Sequence, residues 1–490
     1  MLFNSLEFLI FFPIVTLVYF LIPHKVRYLW LLGASYYFYM CWNPKYALLM
    51  AASTAITYLS GHLIAKGKSM LSRKIMVGIS FFLNLLILYY FKYFYFTVDN
   101  INMVRDWLGM SVLTPKFDVI LPVGISFYTF QALSYTVDVY RKEIEPEKNP
   151  FRFALFVSFF PQLVAGPIER SKNLIKQLYN KHSFDYKRVR EGLLVMLWGY
   201  FLKLVVADRA AILVNTVYNG WENYSGIMLV IATLCFALQI YCDFASYSLI
   251  AQGAARVMGF ELMKNFQQPY FSTSIAEFWR NWHISLSSWF KDYLYIPLGG
   301  NRKGKLRKNI NLMIVFLVSG LWHGASWNFI IWGAIHGLYQ VLGGLCQNLR
   351  RLLCAIFNID TNTSQYKCFQ RIITFLLVCF AWIFFRSESL TQAVGVIQKI
   401  FSGFDAWTIY KDGLLSMGLD IANIAVLVFA TVLVYLVSRY EHGGRDFVKG
   451  VEKMHLFARW PIYYALIFAV LIFGIYGPEF AASQFIYFQF

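Results

Sequence analysis

Charge is scarce in this 490-residue chain: Asp, Glu, Lys and Arg make up 14% of it, against about 25% in ordinary soluble proteins. Hydrophobic residues make up 58% and aromatics 19%. A water-soluble fold could not hide that much apolar surface, because single cores stop growing near 250–300 residues, roughly. No long hydrophilic stretch is present either, so 1–490 reads as a single membrane domain. The seven cysteines are scattered, odd in number and without a CxxC pair, which argues against a disulfide framework and for small packing residues. GxSxG, P-loop and GxGxxG motifs are missing, and with them the common serine hydrolase, nucleotide and Rossmann readings. His283, His323 and His336 lack HExxH-type spacing and any companion Cys or acid cluster, so no metal site is expected. No internal repeat of the kind found in inverted-repeat transporters is visible.

Lipid can take up the apolar surplus. Runs suited to a bilayer core about 30 Å thick lie near residues 6–22, 27–42, 46–64, 76–97, 118–138, 151–168, 193–214 and 226–250. Others follow near 311–345, 369–386, 419–438 and 459–478. The expected class is an all-α polytopic membrane protein with about 10–13 spanning or re-entrant helices. The N-terminus lacks a basic region and a small-residue cleavage site, so 6–22 reads as a first span and not as a removable signal. The run 311–345 is too long for one straight span. Gly320, Gly324 and Gly333 offer breaks, leaving two helices or one long tilted helix open.

The formal charge of +18 comes from 44 basic against 26 acidic residues. Nucleic acid is not the implied partner, because the basic residues sit in short loops, as the positive-inside rule and anionic headgroups would produce. Lys66, Lys68, Arg73 and Lys74 form one cluster, Arg170 to Arg190 a second, and Arg302, Lys303, Lys305, Arg307 and Lys308 a third. All three are expected on the cytoplasmic side.

Residues 274–300 do not look like a span. Phe278, Trp282, Leu286, Trp289 and Tyr293 recur at helical spacing, with Arg280, His283, Ser287 and Lys291 opposite them. Ser274 and Glu277 suit a capping box, and Pro297 with Gly299-Gly300 suits a stop. An amphipathic helix in the interface, or one re-entering the bilayer, is expected. On pattern alone it reads as a membrane-surface anchor, with His283 an ordinary residue of its polar face.

His323 lies inside an apolar run, in Ser319-Gly320-Leu321-Trp322-His323-Gly324. A titratable group at membrane depth is a functional candidate, and an imidazole exchanges protons near neutrality. A neutral imidazole hydrogen-bonded between helices is the other reading. On a continuous helix His336 would face elsewhere. Lys203, Asp243 and an Asp208-Arg209 pair are further buried polar groups that either line a tunnel or tie helices together.

With these residues in view, the chain resembles the membrane-bound O-acyltransferase family, in its bacterial alginate O-acetyltransferase membrane-subunit branch. The resemblance is carried by Phe278-Trp279-Arg280-Asn281-Trp282-His283-Ile284-Ser285-Leu286, by Asp292 to Asn301, and by Gly320-Leu321-Trp322-His323-Gly324-Ala325-Ser326-Trp327. Leu163-Val164-Ala165-Gly166-Pro167-Ile168, the opening Met1-Leu2-Phe3-Asn4-Ser5 and the closing Phe485 to Phe490 fit as well. The resemblance implies a ring of helices around a central tunnel, with His323 as principal catalytic residue and His283 as the second. It also implies acetyl transfer from a cytoplasmic thioester donor, acetyl-coenzyme A or an acyl carrier protein, with no bound cofactor. A secreted or membrane-anchored acetyltransferase partner would complete O-acetylation of an exported polysaccharide. The setting would be the bacterial inner membrane.

In the mechanism expected, His323 is general base toward an acceptor hydroxyl, and a covalent acyl-histidine is the less favoured variant. His283 or Asn281 would orient the acceptor, polarise the carbonyl or relay the proton. Arg280, Trp322, Asp243 and Ser319 are candidate substrate or tunnel residues. The loop from Arg302 to Lys308 either faces the donor's phosphates or only sets topology. D-alanyl transfer to teichoic acid is the nearest alternative. A transporter or a non-catalytic scaffold is the alternative of another class.

Overall fold

A computed structural model of the chain describes residues 1–115, 121–411, 413–476 and 485–486. Every regular element among them is helical. Among the described residues six helices are long and apolar enough to cross a membrane: Pro44–Lys66, Met70–Trp107, Gly226–Met258, Ser364–Arg386, Ile421–His442 and Leu456–Phe473. A seventh is gained if Trp327–Leu345 and Gln347–Ile356, bent by 52°, count as one. Other expected runs are helical but shorter, such as Leu6–Leu21 and His24–Met40. The run at 118–138 starts outside the described residues and holds the helix Ile125–Tyr140. The end of the run at 459–478, and residues 487–490 of the closing motif, also lie outside them.

The described chain forms two compact units, residues 1–196 with 250–263, and residues 197–249 with 264–490. In the first, helix starts follow from their caps. Ser5, Asn43 and Ser69 each accept a backbone N–H with their side chains, and Pro44 occupies the first helical turn. Small polar groups join neighbouring helices, as membrane interiors require. The Ser53 hydroxyl donates to Asn84 Oδ1 at 2.6 Å, Asn84 Nδ2 donates to Thr57 at 3.3 Å, and Ser80 and Thr136 share a bond of 3.1 Å.

One expected span is corrected here. Residues 151–168 form only the helix Pro150–Ser158, followed by irregular chain in which Phe159 to Arg170 are buried throughout. Pro161 and the Gly166-Pro167 step interrupt the helical pattern. Non-helical backbone is tolerated at such depth where protein surrounds it.

In the second unit the run 311–345 resolves into two helices, Gly304–His323 and Trp327–Leu345. They form an antiparallel hairpin whose backbones nearly touch. A Cβ on Gly320 would collide with the Phe329 carbonyl, and one on Gly333 with the Phe316 carbonyl. Only glycine permits that approach. Gly324 takes an extended conformation at φ −160°, ψ 149° and ends the first helix one residue after His323.

Gly333→Leu is expected to push the hairpin apart, at an overpacking cost of about 1–3 kcal/mol or more. The loss should appear as a lowered thermal midpoint of the purified protein in detergent. Gly343→Leu, at a position with open space around it, should leave the midpoint unchanged.

Candidate active site

The segment around His283 departs from the single amphipathic helix expected. Ser274 does cap it, its hydroxyl oxygen accepting the Glu277 N–H at 3.2 Å, while Glu277 accepts from the Thr273 N–H and hydroxyl at 2.7 Å each. The helix then stops at Asn281 and restarts at Ile284. Between them His283 sits at φ 46°, ψ 53°, a left-handed conformation uncommon for a residue with a Cβ. Asn265 holds the break: its carbonyl accepts the Ile284 N–H at 2.9 Å, and its Oδ1 accepts the Ser285 hydroxyl at 2.6 Å. The Asn265 side chain also donates to Ser248 at 3.0 Å.

That break turns His283 inward. It is fully buried, not on an exposed polar face, and Phe278, Trp282, Leu286 and Trp289 are buried inside the protein instead of meeting lipid headgroups. The surface-anchor reading of this segment therefore fails. Strained backbone at a buried titratable residue persists only where its surroundings over-determine it, and such residues cluster at active sites.

His283 and His323 come together across the fold, with ring centroids 6.3 Å apart. The Trp322 ring lies 5.9 Å from His283 and 5.0 Å from His323. Phe244 closes the His283 side at 4.6 Å, and Trp332 and Phe385 flank His323 at 5.0 and 5.5 Å. His323 itself is 4% exposed. The result is a buried aromatic chamber around two imidazoles, where dipoles and charges act far more strongly than in water.

His336 also belongs to this cluster. Because the helix breaks at Gly324, its expected orientation away from His323 does not hold. It lies 5.0 Å from Trp332, which itself lies 5.0 Å from His323, and its Nδ1 accepts from Trp279 Nε1 at 3.2 Å.

Beside the chamber is a cavity of about 580 Å³ with a mixed polar and apolar lining, reaching the chain at Gly324, the residue after His323. Lys203, Asp208 and Asp243 line one side, and Asn215, Asn219, Arg386 and Glu388 another. Lys203 is carried by a π-helical stretch, Phe201–Ala207. Its ammonium bonds Asp243 Oδ1 at 2.6 Å and pairs with Asp208 at 2.9 Å. Asp243 Oδ2 accepts the Ile486 N–H at 2.6 Å. Asp208 and Arg209, neighbours in sequence, tie different elements together. Asp208 serves Lys203, while Arg209 bonds Asn423, the Val205 carbonyl and the Phe473 carbonyl.

The other predicted residues divide. Trp322 is in the chamber, Asp243 is on the cavity wall, and Ser319 is buried one turn before His323. Asn281 spends its side-chain amide on Ser272 at 3.2 Å, and Arg280 is exposed. Arg302, Lys303, Lys305, Arg307 and Lys308 are exposed at the far end of the His323 helix. Twenty residues separate the ends of that helix, which is about 30 Å at 1.5 Å per residue.

Sequence reasoning noted Lys203, Asp208 and Asp243 singly and missed their union. It missed Arg386, Asn215 and Asn219 entirely. Arg386 had one signal, its place at the end of a 23-residue apolar helix, and its guanidinium now donates to Asn215 at 2.8 Å and Asn219 at 3.2 Å.

Comparison with known proteins gives the class of enzyme. The model of the membrane-bound O-acyltransferase family matches residues 142–386, and the chain belongs to that family. It is an O-acyltransferase. It is 37% identical over 459 residues to a protein named "Probable alginate O-acetylase AlgI" from Pseudomonas putida, covering 92% of this chain and 89% of that one. It is 33% identical to the peptidoglycan O-acetyltransferase of Helicobacter pylori, covering 81% and 79%. A teichoic acid D-alanyltransferase of Bacillus subtilis is 26% identical over 56% of this chain and 71% of its own.

Removing one member of a buried ion cluster strands the rest, at about 3–5 kcal/mol. Lys203→Met is therefore expected to lower the thermal midpoint sharply. Adding Asp243→Asn in the same chain should recover part of the loss, a coupling that a double-mutant cycle measures.

Proposed function

We propose that this O-acyltransferase moves an acetyl group from a cytoplasmic thioester donor, and that the group ends on an exported polysaccharide. The donor would be acetyl-coenzyme A or a loaded acyl carrier protein. A secreted or membrane-anchored acetyltransferase would receive the group, and the bacterial inner membrane would be the site of action. The reading rests first on the juxtaposition of His323 and His283, both buried, in one aromatic chamber beside a cavity that charged residues line. Similarity to acetyl-transferring relatives over most of both chains favours acetyl over D-alanyl, the D-alanyltransferase match being weaker and shorter.

In this reading His323 takes the proton of an acceptor hydroxyl as its oxygen attacks the thioester carbonyl. A tetrahedral oxyanion forms, collapses with cleavage of the carbon–sulfur bond, and the thiolate leaves with the proton His323 held. A hydroxyl is too weak a nucleophile near neutrality without such a base. His283 faces the same space and orients the acceptor or polarises the carbonyl. Trp332 is a candidate donor toward the oxyanion: it is fully buried against His323, and its indole N–H has no partner among the described residues. Asn281 loses ground here, since its amide is committed to Ser272.

The test is thioester cleavage, with the partner acetyltransferase present, by the intact protein and by His323→Ala in nanodiscs, using radiolabelled acetyl-coenzyme A and acetylated carrier protein in parallel. Loss of a general base should slow turnover by about 10²–10⁴-fold, with insertion and yield unchanged. His283→Ala should slow it by less. Equal cleavage by His323→Ala and the intact protein would overturn the assignment.

A further inference from the structure

The helix Gln347–Ile356 leaves the end of the hairpin at 52°, and among the described residues nothing covers its apolar stripe. Leu349, Leu352, Leu353 and Ile356 fall at spacing i, i+3, i+4 and i+7 on one face and are 43–61% exposed. Arg350 and Arg351 fall on the opposite side. Cys354, on that polar side, meets the Tyr366 hydroxyl at 3.6 Å, so the helix is steadied from its polar side and open on its apolar one.

Charge identifies what covers the open face. The hairpin register sets Gly320 beside Gly333 and Phe316 beside Gly337, which brings the start of the first helix to the same end as residue 349. Arg302, Lys303, Lys305, Arg307 and Lys308 therefore share that end with Arg350 and Arg351. From residue 293 to residue 359 the chain holds these seven cations and no Asp or Glu. A soluble acidic partner would answer the charge but not the four exposed aliphatic side chains on the face opposite the arginines. A bilayer leaflet rich in anionic lipid answers both, taking the aliphatic face into its acyl boundary and the arginines among its headgroups.

We propose that Gln347–Ile356 is an interfacial anchor for anionic lipid, and that together with the basic loop from Arg302 to Lys308 it seats the hairpin bearing His323 at a fixed depth in the membrane. The loop's charges then serve the lipid headgroups and not the acyl donor. Their separation of about 30 Å from His323 along the helix is in keeping with that assignment.

Depth quenching tests the proposal on the full chain in nanodiscs. An environment-sensitive fluorophore is placed at Leu352→Cys or at Arg351→Cys, with exposed Cys41, Cys346 and Cys368 replaced by serine. Nanodiscs are made of phosphatidylcholine alone or of an equimolar mixture with phosphatidylglycerol. In the anionic discs the label at 352 should be quenched by brominated acyl chains and shielded from iodide, and the label at 351 should behave the opposite way. Arg350→Gln should weaken acyl-chain quenching at 352, with the docking equilibrium falling by roughly fivefold for the lost arginine. It should do so in the anionic discs and not in the neutral ones. Equal iodide access at 352 in both lipids would overturn the proposal. So would a label at 352 shielded from both quenchers, which would mean that protein covers the face.

Discussion

The structure depends on one backbone contact, the near touch of two helices at Gly320 and Gly333. It lets Gly304–His323 and Trp327–Leu345 run antiparallel at a distance any side chain would forbid. The chain must then turn within three residues, and the extended Gly324 makes the turn. His323 is left at the tip of its helix, where its ring meets Trp332 and Phe385 on one side and the Trp322–His283 pair on the other. A continuous helix would have put His323 on a flank and His336 out of reach.

The second histidine is placed by an opposite device. His283 takes left-handed backbone at a break that Asn265 holds through the restarting helix, bonding Ile284 and Ser285. A helix stop on each side of the chamber thus delivers one imidazole, and neither stop follows from hydrophobic pattern. In the adjoining cavity one buried ammonium, Lys203, answers two buried carboxylates, Asp243 and Asp208.

Much of this was legible in the sequence. Apolar runs and loop charges gave the all-α membrane class, because lipid selects for composition over stretches of about 20 residues. His323 stood out because a titratable group inside an apolar run is expensive to place in lipid, and family likeness supplied His283. What could not be read was where helices break. The 311–345 run left two outcomes open because glycine permits both. Residues 151–168 looked like a span because burial in protein and exposure to lipid select the same side chains. Periodicity put His283 on a polar face because a single left-handed residue leaves no trace in the pattern. Ion partners were equally hidden: Lys203 and Asp243 are 40 residues apart and on different helices, so only the fold joins them.

The central claim is that the reacting carbonyl sits between His323 and His283. A structure of the protein in nanodiscs with a non-hydrolysable thioether analogue of the acetyl donor tests it directly. The account predicts the analogue's carbonyl carbon in the gap between the two imidazoles, with its oxygen toward Trp332 or His283. A reactive end lodged elsewhere, with the chamber closed to it, would contradict the account.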